Sequence, residues 1–141
     1  MNSNAIRMER SFNAPASRIW DALTIPAQMK EWYFDVKGFK PEKDNEFSFV
    51  GQGPEGEDYL HLCRIQEVVP GKKISYTWRY EGYEGESLLT FELLPEGNGT
   101  LVKLTHEGLD TFPDIPVFNR SNFVQGWTYF LEKGLQEYLD K

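Results

Sequence analysis

The chain has 141 residues, 40% of them hydrophobic and 15% aromatic, which suits one globular domain with a sizeable core. Its net charge of −7 argues against a nucleic-acid backbone or an anionic membrane surface as partner, because both are themselves anionic. No apolar run is long enough to span a bilayer, Met1 to Phe12 lack the apolar core of a signal peptide, and the single cysteine, Cys63, fits a reducing cytoplasm.

Ile6, Met8, Arg10 and Phe12 alternate with polar residues and read as a strand with one buried face. Ala14-Pro15 ends it, and proline suits a first helical position. Ala16, Ile19, Trp20 and Leu23 follow at helical spacing, and Ile25-Pro26 breaks that helix and starts a second through Met29 and Trp32. After a loop with Gly38 and Pro41 the period switches to two. Strands are expected around Phe47 and Phe49, over Tyr59 to Val68, Lys73 to Tyr80, Ser87 to Leu94 and Thr100 to His106. The last four are joined by short glycine-bearing turns, the signature of an antiparallel meander. Gly108 to Asn119, with Phe112, Pro113, Pro116 and Phe118, reads as an ordered flap before the final helix. The acidic runs Glu42 to Glu46, Glu55 to Asp58 and Glu81 to Glu86 read as solvated loops.

From Phe123 the apolar residues Phe123, Trp127, Phe130, Leu131, Leu135, Tyr138 and Leu139 mark one face of a long helix. Gly134 falls on that face, within ~20° of Trp127 on an ideal helix. Glycine there costs on the order of 1 kcal/mol against alanine, so two explanations compete: a cavity beside the helix, or a close backbone approach. The helix must bury its face, and one face of the sheet is the only large partner available. A curved sheet around a helix leaves a hollow, the kind of place where small-molecule sites occur. The expected fold class is therefore α+β, an antiparallel sheet of about six strands packed on a long C-terminal helix; that the sheet curves and wraps around the helix does not follow from the residues and is what the family resemblance below implies.

The order and spacing of several segments carry a family resemblance. They are Phe12-Asn13-Ala14-Pro15-Ala16 with Ile19-Trp20-Asp21-Ala22-Leu23, Ile25-Pro26 with Trp32, and Ile65 to Pro70 with Tyr76-Thr77-Trp78. Gly99-Thr100 with Leu104 to Gly108, and Gly126-Trp127 with Leu131 and Leu135, complete the set. The chain resembles START-like, helix-grip domains of the SRPBCC superfamily. More narrowly it is similar to bacterial homologues of the C-terminal domain of the heat-shock protein 90 ATPase activator. The resemblance spans nearly the whole chain and implies a deep cavity for an apolar or amphipathic molecule. It also brings in a chaperone as a possible protein partner, although the eukaryotic activators carry a separate N-terminal domain for which the chain leaves no room.

The candidate ligand-binding walls follow. Phe123, Trp127, Phe130 and Gly134 come from the helix, and His61, Cys63, Tyr76, Trp78 and Phe91 from the sheet, with Phe112 gating entry. Phe91 shares its phase with Leu89 and Leu93, so core packing is its simpler role. His61, His106 and Arg10 are also candidate acid–base groups in an enzyme of cyclase or hydrolase type, and Arg10, if it faces inward, could instead bind a ligand carboxylate. No paired catalytic constellation is visible, so catalysis is the lesser reading and no catalytic residue is assigned. No metal or cofactor is expected, since the sequence lacks ligand pairs at helical spacing. Gly51-Gln52-Gly53-Pro54-Glu55-Gly56 has the letters of a dinucleotide-binding loop, but a strand follows where phosphate binding needs a helix, so it reads as a hairpin turn.

Overall fold

Alternating apolar and polar side chains become strands here, and the chain crosses from one end of the sheet to the other. The computed structural model describes residues 5–53 and 55–141, so Met1–Asn4 and Pro54 of the expected hairpin turn lie outside the described residues. Strand β1 (Ile6–Phe12) leads into α1 (Ala16–Thr24) and α2 (Pro26–Trp32). Five strands follow: β2 (Glu46–Gln52), β3 (Asp58–Val69), β4 (Lys73–Tyr80), β5 (Ser87–Glu96) and β6 (Gly99–Glu107). They form one antiparallel, curved sheet in the order β1-β6-β5-β4-β3-β2. A register shift between Ile65 and Glu67 places a bulge in β3, a device that bends a strand and adds twist.

The inward phase is the expected one. His61, Cys63 and Ile65 are buried on β3, Tyr76 and Trp78 on β4, Leu89, Phe91 and Leu93 on β5, and Val102, Leu104 and His106 on β6. The two short helices pack into the core, α1 through Ile19, Ala22 and Leu23 and α2 through Met29 and Trp32. Pro15 sits at the N-cap of α1, one position before the expected one, and Pro26 takes the first position of α2. Trp32 Nε1 donates to the Ala22 carbonyl at 2.8 Å, which pins α2 against α1 and satisfies a buried indole N–H.

The C-terminal helix runs over 120–139 in three stretches: α3 (Arg120–Tyr129), a π-helical segment (Phe130–Leu135) and α4 (Gln136–Leu139). Asn119 caps it by accepting from the Asn122 backbone N–H at 2.9 Å. The wide turn has a cause in the sequence. The buried residues Phe123, Trp127, Leu131 and Leu135 repeat every four positions. On an α-helix each such step overshoots a full turn by about 40°. A π segment turns less per residue and so keeps Leu135 on the sheet side.

The 108–119 connection is pinned rather than loose. It holds two 3₁₀ turns, Leu109–Thr111 and Pro116–Phe118. Thr111 Oγ1 accepts from the Glu86 backbone N–H at 2.9 Å and lies within hydrogen-bond distance of the Glu86 and Gly108 carbonyls. Gly85 faces the same loop, where an added Cβ would stand 2.5 Å from the Thr111 carbonyl oxygen.

Candidate functional site

Between the C-terminal helix and the β3–β4 end of the sheet lies a cavity of about 290 Å³. The sheet contributes His61, Trp78 and Tyr80, consecutive members of one inward face. The helix contributes Phe123, Gly126, Trp127 and Phe130 at i, i+3, i+4 and i+7, one continuous stripe. Phe34, from the segment after α2, and Tyr59 extend the aromatic walls, while Gln52, Val117, Asn122 and Tyr129 complete the lining. No lining side chain is formally charged at pH 7.

Five of the ten residues expected from sequence line this cavity: His61, Trp78, Phe123, Trp127 and Phe130. The other five lie elsewhere for identifiable reasons. Gly134 is a correction. The π segment turns it away from Trp127, and its Cα faces α2, where a Cβ would stand 3.0 Å from the Trp32 carbonyl oxygen. Close backbone approach therefore explains this glycine. The glycine that borders open space is Gly126, whose added Cβ would meet nothing within 4 Å.

Tyr33 accounts for Tyr76 and Phe91. Its ring reaches into the hollow, 6.4 Å from Phe91 and 6.2 Å from Trp127 between centroids, and its hydroxyl shares a 2.8 Å hydrogen bond with that of Tyr76. The deep end of the expected hollow is thus filled by protein. Cys63 is buried in the same sheet face, and burial pushes its thiol well above the ordinary range, with Arg79 opposing only in part. Phe112 does not border the cavity. Its ring packs at 5.4 Å from both Tyr80 and Phe118, behind the cavity wall.

His106 is fully buried and both ring nitrogens are engaged. Trp127 Nε1 can only donate, so Nδ1 accepts at 3.1 Å, and the proton must sit on Nε2. Nε2–H then donates to Ser87 Oγ at 2.8 Å, which donates to the Trp78 carbonyl at 2.9 Å. Burial, helped slightly by His61, lowers this imidazole to about 3. The chain fixes one neutral tautomer and ties the helix to the sheet, which leaves His106 no nitrogen for acid–base chemistry. Arg10 lies on β1, stacked over Phe12 at 5.7 Å and bonded to Gln136 Oε1 at 3.4 Å, away from the cavity.

His61 is different. Its Nδ1 lies 2.9 Å from the Tyr59 carbonyl, which can only accept, so Nδ1 carries the proton and Nε2 keeps its lone pair. Burial lowers the group to about 4, opposed by the Tyr59 and Phe49 carbonyls. Gly51 makes room for the ring, since a Cβ there would stand 2.7 Å from His61 Cε1. Tyr80 accepts from Trp78 Nε1 at 2.9 Å, and burial raises its phenol well above the ordinary range.

Sequence reasoning missed Tyr80 although the phase that marks Tyr76 and Trp78 continues to it. Gly126 was equally within reach, on the stripe with Phe123, Trp127 and Phe130. Phe34 and Asn122 sit outside any regular apolar pattern and carry no such signal. Among the described residues no three His, Cys, Asp or Glu side chains gather as a metal site would need, and no helix is long and apolar enough to cross a membrane.

No curated protein matches the sequence. Solved structures do. Protein MLL2253 from Mesorhizobium loti is 28% identical, with 96% of each chain covered and a TM-score of 0.78. Protein CV1439 from Chromobacterium violaceum is 26% identical over 92% of this chain and 93% of its own, also with a TM-score of 0.78. CalU16 from Micromonospora echinospora shares the fold at 24% identity, with a TM-score of 0.75 over 95% of this chain and 74% of its own. The family described as activator of Hsp90 ATPase homolog 1-like protein matches residues 13–140. With a sheet gripping a terminal helix and a family match over nearly its full length, the chain belongs to the activator of Hsp90 ATPase homolog 1-like family, within the START-like superfamily.

Proposed function

We propose that the protein binds a small apolar or amphipathic molecule, reversibly and without chemistry, in the cavity between the C-terminal helix and strands β3 and β4. The observation that carries this reading is the 290 Å³ hollow bordered by Gly126, at a point where the helix could hold a side chain and does not. Burial of apolar surface supplies the affinity, at roughly 25 cal/mol per Å² before the costs of association. The volume lies at the lower end of small-molecule sites, in keeping with a ligand of two or three rings. Against a catalytic role stand the engagement of both His106 nitrogens and the raised Cys63 thiol.

Titration with the neutral fluorophore N-phenyl-1-naphthylamine tests the reading. Saturable enhancement with one site per chain is expected, and a strictly linear, non-saturating response would remove its basis. The family description alone supports a second reading, contact with an Hsp90-type chaperone, for which stimulation of the chaperone's ATPase is the assay.

A further inference from the structure

Besides the Gln52 and Asn122 amides, whose nitrogens already donate to Asp58 and Val117, and the Tyr59 phenol, the cavity carries two buried polar side chains that the protein leaves half used, on neighbouring strands. His61 and Tyr80 are paired in the β3–β4 register, with ring centroids 4.5 Å apart. Tyr59 holds the His61 proton on Nδ1, so Nε2 presents an acceptor lone pair to which no described residue donates. Trp78 Nε1 occupies an acceptor site on Tyr80 Oη, and no described residue takes the hydroxyl proton. Both side chains are buried and both line the cavity. Both groups open on the cavity, so a ligand that covers them loses affinity unless it supplies the donor and the acceptor they lack.

We propose, building on the cavity reading above, that the ligand is an uncharged aromatic molecule bearing a hydroxyl group, which donates to His61 Nε2 and accepts from Tyr80 Oη–H. The remaining wall is mainly ring carbon, from Phe34, Trp78, Phe123, Trp127 and Phe130, which favours a flat aromatic body. A carboxylate would find no cation in the lining and would turn its charge towards a lone pair at His61. An ammonium would find no carboxylate, and Tyr80 would present it with a proton. The hydroxyl is the group that both donates and accepts from one atom.

Four naphthalenes of one size test this at pH 7 by fluorescence titration: naphthalene, 2-naphthol, 2-methoxynaphthalene and 2-naphthoate. For the wild-type chain, 2-naphthol is expected to bind about tenfold or more tighter than naphthalene, because each satisfied buried group is worth several-fold in affinity. The methyl ether, which cannot donate to His61, should lose most of that gain, and 2-naphthoate should bind at least about tenfold more weakly than 2-naphthol. Tyr80→Phe and His61→Phe should bring 2-naphthol down to the naphthalene level while leaving naphthalene within a few-fold. The methyl ether reads the same contact in the unmodified protein, so a variant that fails to fold does not shelter the idea. Equal affinity for naphthalene and 2-naphthol would overturn the proposal and leave the cavity reading standing. So would tightest binding of the carboxylate, or of a naphthyl-trimethylammonium added as a cationic control. Failure of all the naphthalenes to bind would overturn both.

Discussion

Gly126 and Gly134 lie on one helix, yet the structure gives them opposite roles, and substitution separates the two. In a helix alanine is better than glycine by about 1 kcal/mol. At Gly126 an added Cβ meets nothing within 4 Å, so Gly126→Ala keeps the whole gain, a rise in Tm of about 3 °C for a chain of this size. At Gly134 the Cβ would press on the Trp32 carbonyl oxygen at 3.0 Å, a backbone atom that cannot swing aside. Overpacking of that kind costs about 1–3 kcal/mol, so Gly134→Ala ends between unchanged and about 2 kcal/mol less stable. Gly126→Leu then fills the cavity from the helix side. A tenfold loss of affinity needs only about 1.4 kcal/mol, less than the burial of two methylenes, so N-phenyl-1-naphthylamine should bind at least about tenfold more weakly. Thermal unfolding followed by circular dichroism and the dye titration read the two effects independently. If Gly126→Leu folds and keeps wild-type affinity, the ligand does not sit beside this helix. If both alanine variants gain equally, the close approach at Trp32 is misjudged.

Three further outcomes follow from the same geometry. His106 and His61 have folded-state values of about 3 and about 4, below the ordinary 6.5, so the unfolded chain binds more protons between those values and 6.5. Their contribution is complete above pH 6.5 and is lost as pH falls towards 4, by up to about 1.4 kcal/mol per pH unit for each. His106→Gln should flatten that dependence in urea unfolding between pH 6.5 and 4.5, and an unchanged slope would count against a buried neutral imidazole. Gly51→Ala should push the His61 ring from its place, lowering stability by about 1–3 kcal/mol in denaturant melts and weakening dye binding, whereas a neutral result would mean the ring has other room. Asn119→Ala should cost about 1 kcal/mol through loss of the helix cap, with dye affinity within a few-fold of wild type; an unaltered melting curve would show that the cap is dispensable.

Most of the fold is legible in the chain because strands announce themselves by alternation. The inward phase of His61, Cys63 and Ile65, or of Val102, Leu104 and His106, reads straight from the residues. The site is half legible. Trp78, Trp127, Phe123 and Phe130 share faces that any cavity between sheet and helix must use. Gly134 misleads because an ideal 3.6-residue turn places it beside Trp127, whereas the four-residue spacing of Phe123, Trp127, Leu131 and Leu135, a signal present in the chain, goes with the π segment that turns it away. Tyr33 misleads in another way. It follows α2 without periodic signal, and only the folded chain shows its ring over Phe91 and its hydroxyl on Tyr76. The volume left for a ligand is therefore a property of loop residues that pattern reading does not place.

The four indole N–H groups give the most direct test of the cavity itself. Trp78 and Trp127 line it, while Trp32 is held by the Ala22 carbonyl and Trp20 lies on α1. In ¹⁵N-resolved spectra titrated with N-phenyl-1-naphthylamine, the Trp78 and Trp127 indole signals should move in a saturable way while that of Trp20 stays in place. Saturable shifts at Trp20 with Trp78 and Trp127 unmoved would contradict the assignment of the site.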